Sequence, residues 1–84
     1  MEEAKVIGKK LKHLRIDYEL TQEELAQKIK CNKRSISTWE CGTTWIPIKY
    51  LLRVAKIFNV KLDYFYSQNE EASNVQPTKL SLQE

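Results

Sequence analysis

Apolar residues recur along the first two thirds of the chain at spacings of three and four, the period of an amphipathic helix. The first predicted helix covers Lys5–Tyr18, and its buried stripe consists of Ile7, Leu11, Leu14 and Tyr18. Arg15 lies beside that stripe. The remaining cationic side chains point elsewhere and are predicted to form a solvated face: Lys9, Lys10, Lys12 and His13.

Local capping signals set the bounds of the next two helices. Thr21 followed three residues later by Glu24 is a capping box, so it predicts a second helix that ends near Lys30. Its buried side is predicted to hold Leu25, Ala26 and Ile29. Asn32 is a strong N-cap for a third helix that runs to about Cys41, where Gly42 stops it. The connection between them has only about three residues, which is typical of a helix-turn-helix unit.

A fourth helix is predicted to open at Pro47 and to run to Phe58. Its inward side would hold Leu51, Val54, Ala55 and Phe58. A short fifth helix should follow at Leu62–Tyr66. Residues 1–66 are therefore predicted to form one compact, all-α domain of five helices, and residues 67–84 a flexible, polar, acidic tail.

Charge is unevenly spread along the 84 residues. Residues 1–66 hold 13 basic and 8 acidic side chains, a formal charge of +5, whereas residues 67–84 hold 1 and 3, a charge of −2. A mildly basic domain fits an anionic partner. No apolar run approaches the roughly 20 residues that span a bilayer, and the N-terminus has no apolar signal segment. We therefore expect a cytoplasmic protein that does not bind a membrane.

The two cysteines, Cys31 and Cys41, are expected to be reduced thiols. If they flank a helix, its rise of about 1.5 Å per residue separates them by about 15 Å. A disulfide requires Cα atoms within about 7 Å of each other. One histidine and the absence of paired cysteines also argue against zinc, so no metal site is predicted.

The third helix has two chemically different faces when its residues are placed on a helical wheel. Ile36, Trp39 and Glu40 share the inward face. The outward face carries Arg34, Ser37, Thr38 and Cys41, with Lys33 beside its first turn. A helix that enters the major groove of DNA needs short side chains in its middle and long donors near its N-terminus. This face therefore indicates DNA contact.

Two charged residues fall on faces that should be buried. Glu40 shares the inward face of the third helix, and Arg15 flanks the apolar stripe of the first. A buried carboxylate is unfavourable unless it is paired. The sequence therefore predicts an Arg15–Glu40 ion pair with a structural role, not a catalytic one.

The segments "IGKKLKHLR", "LTQEELAQKI", "SISTWECG" and "LLRVAKIFNVKLDYFY" together carry a family resemblance. Over about Ile7–Tyr66, the chain resembles the Cro/CI-type helix-turn-helix repressors, also called the XRE family, which includes the phage lambda repressor. The resemblance implies a lambda-repressor-like fold. It also implies a sequence-specific, DNA-binding transcriptional regulator of phage, mobile-element or similar bacterial type.

The resemblance also implies roles for individual residues. Gln22 matches a position that touches a phosphate and braces the recognition helix, and Ser35 matches a phosphate-binding position. Positions matching Lys33, Arg34 and Thr38 read bases. The Arg–Glu pair of the family falls on Arg15 and Glu40. The predicted DNA-binding set is Gln22, Asn32, Lys33, Arg34, Ser35, Ser37, Thr38, Cys41 and Thr43. Lys30 stands where the family commonly has glycine, so it must tolerate an unfavourable backbone conformation if the turn is unchanged. Glu19, before the segment "LTQ", also stands where glycine is common.

One helix reads only a few base pairs, so a homodimer on a palindromic operator is expected, with half-sites about 34 Å apart. Candidate dimer contacts are Trp45, Ile46, Leu62 and Tyr64, and the alternative is that these residues complete the core. The alternative function is a protein-interaction module, such as the antitoxin of a toxin–antitoxin pair. An enzyme is not expected, because the chain has one histidine, His13, and no glycine-rich phosphate loop. No cofactor or small-molecule ligand is predicted.

Overall fold

A computed structural model describes residues 2–66, and all of their regular structure is helical. The helices are α1 (Glu2–Asp17), α2 (Gln22–Ile29), α3 (Lys33–Cys41), α4 (Ile48–Phe58) and α5 (Asp63–Tyr66). The prediction of five helices is confirmed. The predicted tail, 67–84, lies outside the described residues.

The capping signals act as the sequence predicts. Thr21 and Glu24 form both bonds of the capping box: the Glu24 N–H donates to Thr21 Oγ1 at 3.1 Å, and the Thr21 N–H donates to Glu24 Oε1 at 2.8 Å. Asn32 Oδ1 accepts from the Ser35 N–H at 2.8 Å and so caps α3. Gly42 ends α3 in the left-handed region, at φ 77°. Because these signals are local, the bounds of α2 and α3 agree with the prediction.

The first helix differs from the prediction at both ends. It begins at Glu2 instead of Lys5, and two carboxylates in its first turn favour the positive end of the helix dipole. It ends at Asp17 because Glu19 adopts a left-handed conformation, with φ 58°. Tyr18 was predicted on the buried stripe, but it lies beyond the helix and is 52% exposed. Its hydroxyl nevertheless donates to the carbonyl oxygen of Phe58 at 3.1 Å.

The core lies where all five helices converge. α1 packs against α3 and α5, and α2 packs against α3 and α4. The large side chains that are almost fully buried are Leu11, Leu25, Ile29, Ile36, Leu51, Val54, Phe58 and Phe65. The inward residues predicted for α2 and α4 are all buried. The core therefore fixes α3 between α1 and α2.

Lys10 is not part of a solvated face, contrary to the prediction. It is only 3% exposed, and its Nζ donates to the carbonyl oxygen of Tyr64 at 2.9 Å. The ammonium group also lies 5.2 Å from the centre of the Tyr64 ring. A buried ammonium needs acceptors of this kind, so the side chain ties α1 to the short α5.

Gly8 allows α1 to lie directly against the backbone of α3. A Cβ atom at this position would clash with the carbonyl oxygen of Trp39 and would lie 3.1 Å from the Cα of Glu40. Only glycine removes that clash, so the close approach of the two helices depends on this residue. The contact brings the middle of α1 to the last turn of α3.

Candidate nucleic-acid interface

The α3 helix is fixed to the rest of the domain by its inward face. Ile36 is fully buried and Trp39 is 5% exposed. The Trp39 ring also packs against the Tyr50 ring of α4, with 5.4 Å between the ring centres. The outward face is therefore presented in one orientation by a rigid base.

The long cationic side chains stand at the leading end of that outward face. Lys33 and Arg34 are both exposed, and within residues 2–66 neither makes an ion pair or a side-chain hydrogen bond. All five N–H donors of a guanidinium and all three of an ammonium are thus available for a ligand. Donors of this kind at a helix N-terminus can reach phosphates or the acceptor edge of guanine.

Thr38 lies one turn further along and is less free than the sequence suggests. It is partly buried, and its hydroxyl donates to the carbonyl oxygen of Ser35 at 2.9 Å. The Thr44 hydroxyl lies 3.4 Å from the Thr38 oxygen. What Thr38 can offer a base is therefore mainly its methyl group, which suits contact with the methyl group of thymine.

The other predicted contact residues surround this face. Ser35 and Ser37 are partly exposed, whereas Asn32, Cys41 and Thr43 are exposed. Two of these side chains have structural partners: Asn32 caps α3, and the Thr43 hydroxyl donates to the carbonyl oxygen of Thr38 at 3.1 Å. Of the predicted residues on and beside α3, five are thus open to a ligand and three, Ser35, Ser37 and Thr38, are partly open.

Behind this surface, Arg15 and Glu40 form the expected ion pair. Arg15 Nε lies 2.7 Å from Glu40 Oε2, and Arg15 Nη2 donates to Glu40 Oε1 at 3.1 Å. The two side chains are 12% and 4% exposed. Arg15 Nη1 also donates to the carbonyl oxygen of Leu20 at 2.8 Å, so the guanidinium braces the turn before α2. A bidentate pair of this kind holds both partners in one geometry.

Gln22 joins the same network from the first turn of α2. Its Nε2 donates to Glu40 Oε1 at 3.1 Å. The side chain is partly exposed, so it reaches the carboxylate from the solvent side. Of its predicted roles, the bracing of α3 is therefore present, and the second N–H of the amide nitrogen remains available to donate to a phosphate.

The four candidate dimer residues divide into two groups. Ile46, Leu62 and Tyr64 are partly buried and pack against the core. Trp45 instead is 49% exposed. It lines an apolar cleft of about 230 Å³ with Val6, Ile7, Phe65, Tyr66 and the side chain of Glu3. Sequence reasoning missed Tyr66, which is 52% exposed, because its burial depends on how α5 docks.

Sequence reasoning also missed a basic groove beside the end of α3. One stripe of α1 forms one wall, with Lys5, Lys9, Lys12, His13 and Ile16, and the other wall is Glu40 and Cys41. The volume is about 410 Å³. The signal in the sequence is the spacing i, i+4, i+7, i+8, i+11, which places these residues on one face.

Both cysteines are free thiols at opposite ends of α3. Burial raises the pKa of the Cys31 thiol, and the nearby positive charge of Arg53 partly opposes that shift. Among residues 2–66, no three His, Cys, Asp or Glu side chains come together in a group that could hold a metal ion. In the same part of the chain, no helix is long and apolar enough to cross a membrane.

This geometry defines a class of protein. A capped helix, a short turn at Lys30 with φ 64°, and a second helix with a fixed inner face and exposed donors together form a helix-turn-helix unit. The sequence profile of the helix-turn-helix family matches residues 11–65. The chain therefore belongs to the Cro/CI-type helix-turn-helix family, a family of DNA-binding domains that occurs in proteins named as transcriptional regulators.

Curated relatives agree with this assignment. The chain is 36% identical over 63 residues to the HTH-type transcriptional activator BcrR of Enterococcus faecalis, covering 75% of this chain and 31% of BcrR. It is 36% identical over 63 residues to the uncharacterized HTH-type transcriptional regulator MJ0272 of Methanocaldococcus jannaschii, and the match covers 74% of this chain and 96% of MJ0272. It is 29% identical over 77 residues to the antitoxin PezA of Streptococcus pneumoniae, and the match covers 92% of this chain and 49% of PezA. The chain thus spans a third of BcrR and half of PezA.

Proposed function

We propose that the protein is a transcriptional repressor that acts in the cytoplasm and binds a palindromic operator as a homodimer. One observation carries the proposal: α3 has its inner face locked by the Arg15–Glu40–Gln22 network, while Lys33 and Arg34 stand exposed and unpaired at its leading end. A rigid helix with free donors is suited to reading base edges in the major groove.

In this proposal, the interface divides into reading and anchoring contacts. Arg34 and Lys33 donate to base acceptors, and guanine offers two of them in the major groove. Thr38 contacts a base through its methyl group. Gln22, Ser35 and the other polar residues of the predicted set bind phosphates and fix the position of α3 on the duplex.

The proposed dimer contact includes Trp45. Its half-exposed indole and the neighbouring Tyr66 line an apolar cleft that a second copy could cover. A two-fold symmetric pair would place the two α3 helices on half-sites about one DNA turn, ~34 Å, apart. Sedimentation equilibrium with and without operator DNA measures the number of copies in the free protein and in the complex. A monomer bound to a single half-site would exclude the dimer.

Selection of bound sequences from a random duplex pool tests the function. We expect a palindromic consensus. Arg34→Ala should then lose about 1–3 kcal/mol of binding and accept more bases at one position, whereas Gln22→Ala should weaken all sites alike. Full sequence discrimination by Arg34→Ala would remove the assignment of Arg34 as a base reader.

The direction of regulation needs its own test, because BcrR is named as an activator. Repression requires only that the bound dimer blocks a promoter. A reporter gene with the selected operator inside its promoter should fall in expression when the protein is produced. A rise in expression would contradict the repressor proposal.

A second candidate function is supported by the match to PezA. A match of 77 residues necessarily extends past residue 66, beyond the helix-turn-helix profile. In this hypothesis the chain binds a toxin as well as DNA. A gene for a toxic protein should therefore lie beside the gene for this chain. Growth arrest by that neighbour, relieved by coexpression of this chain, would favour the antitoxin function.

A further inference from the structure

We propose that the groove between α1 and the end of α3 binds the phosphodiester backbone of the same DNA duplex that α3 reads. The α1 groove is lined by Lys5, Lys9, Lys12 and His13 on one side and by Glu40 and Cys41 on the other. The inference rests on the proposed DNA-binding function, and it adds a second anchoring surface that the helix-turn-helix unit itself does not provide.

The charge of the α1 groove fits a polyanion. Lys5, Lys9 and Lys12 are exposed, and within the described residues none of them makes an ion pair. The one carboxylate in the wall belongs to Glu40, and both of its oxygens already accept hydrogen bonds, from Arg15 and Gln22. The negative charge is thus neutralised from within the domain, and the lysine charges are left uncompensated.

The spacing of the lysines fits a phosphate chain. Lys5, Lys9 and Lys12 lie on one stripe of α1, and the rise of a helix separates the first from the last by about 10 Å. One strand of duplex DNA carries a phosphate for every 3.4 Å or so of its axis, and neighbouring phosphates are further apart than that along the winding backbone. The length of the stripe therefore corresponds to more than one phosphate and at most about three. The stripe can therefore follow the backbone instead of gripping a single ion.

The α1 groove is continuous with the reading surface. Cys41 belongs both to the outward face of α3 and to the wall of the groove. Glu40 links the same wall to Gln22 at the start of α2. The close contact at Gly8 sets α1 against the last turn of α3, so the lysines border the surface that faces DNA. DNA seated on α3 would thus bring its backbone to this edge.

The test compares two double variants of equal charge. Lys9→Gln/Lys12→Gln removes two cations from the α1 groove and leaves Lys5, which packs against Gly42, in place. Lys28→Gln/Lys56→Gln removes two exposed lysines from α2 and α4, outside the groove. The association constant for the selected operator is measured for each variant and for the wild type over a series of salt concentrations.

If both lysines contact phosphates, the slope of log K against log salt should fall by about 1.8 in the groove variant, since each lost contact removes about 0.9. Affinity at 0.1 M salt should then fall by roughly 10- to 100-fold. Discrimination between operator and scrambled duplex should be unchanged, because backbone contacts carry no base information. The control variant and Lys9→Arg/Lys12→Arg should keep the wild-type slope.

Three results would each contradict the proposed role of the α1 groove, and they differ in whether the proposed function also fails. A wild-type slope in the groove variant, with operator binding intact, would show that Lys9 and Lys12 do not contact DNA phosphates and would leave the proposed function standing. An equal loss in the control variant would show a general charge effect with no role for the groove. A wild-type protein that enriches no duplex from the random pool would remove the proposed function, and with it this inference.

Discussion

Replacement of Glu40 by alanine tests whether the Arg15–Glu40–Gln22 network holds the domain together. The change removes a carboxylate that is 4% exposed and accepts three hydrogen bonds. It leaves the guanidinium of Arg15, only 12% exposed, without its counter-charge. A buried charge that loses its partner is the costly part of such a change, more than the lost pair itself.

The expected loss of stability is about 3 kcal/mol. Breaking a buried pair from one side typically costs about 3–5 kcal/mol. Arg15 keeps its bond to the Leu20 carbonyl oxygen at 2.8 Å and has some access to water, so the lower end of that range applies here. For a domain of this size, each kcal/mol lowers Tm by about 4–8 °C, which gives a fall of about 12–24 °C.

Urea unfolding followed by far-ultraviolet circular dichroism measures the free energy of unfolding. Glu23→Ala is the matched control, since it removes an exposed carboxylate from the first turn of α2 and should cost less than about 1 kcal/mol. The double variant Arg15→Ala/Glu40→Ala should lose less than the sum of the two single changes. If Glu40→Ala is no more destabilising than Glu23→Ala, or if the two single effects add, the reasoning about the network is refuted.

Three further changes follow from the structure. Gly8→Ala should lower Tm although alanine is the better helix former by about 1 kcal/mol, because its Cβ would clash with the Trp39 carbonyl oxygen. A higher Tm would contradict the close α1–α3 contact. Lys30→Gly should raise the free energy of unfolding by up to about 1 kcal/mol, since glycine relieves the left-handed conformation at φ 64°. Urea titration measures this free energy, and a lower value for Lys30→Gly would contradict backbone strain at Lys30. Because burial raises the pKa of the Cys31 thiol, less thiolate is present at a given pH, so Cys31 in the Cys41→Ser variant should react with a disulfide reagent more slowly in the folded protein than in urea-unfolded protein. Reaction rates measured over a series of pH values check this, and matching rate–pH profiles for the folded and the unfolded variant would contradict it.

Features set by near neighbours could be predicted from the sequence. The bounds of α2 and α3 depend on Thr21, Glu24, Asn32 and Gly42, each of which acts within one helical turn. The Arg15–Glu40 pair could also be predicted, although its partners are 25 residues apart. Each charge lay on an apolar face, and pairing was the simplest way to satisfy both.

Features that need the packed fold could not be predicted. Lys10 can be buried because the carbonyl oxygen of Tyr64, 54 residues away in the sequence, accepts a hydrogen bond from its ammonium group. The spacing from Ile7 and Leu14 places Lys10 at the edge of the apolar stripe, but the acceptor that makes its burial favourable lies on α5 and is brought there only by the fold. The α1 groove likewise exists only because Gly8 lets two helices approach. The Thr38 hydroxyl is less available to a ligand because it donates to the Ser35 carbonyl oxygen. A threonine hydroxyl in a helix can either bond to the backbone or point to solvent, and the residue type alone does not show which it does.

The separation of the two faces of α3 has an evolutionary consequence. Lys33 and Arg34 are exposed and contribute no ion pair or side-chain hydrogen bond to the described domain. Exchange of such surface residues usually alters folding stability by no more than about 0.5 kcal/mol. Their replacement should therefore leave the scaffold intact. If these two side chains read bases as proposed, single substitutions there would change the preferred DNA sequence without compensating changes in the core, and descendants of one ancestral domain could diverge quickly in the genes they control.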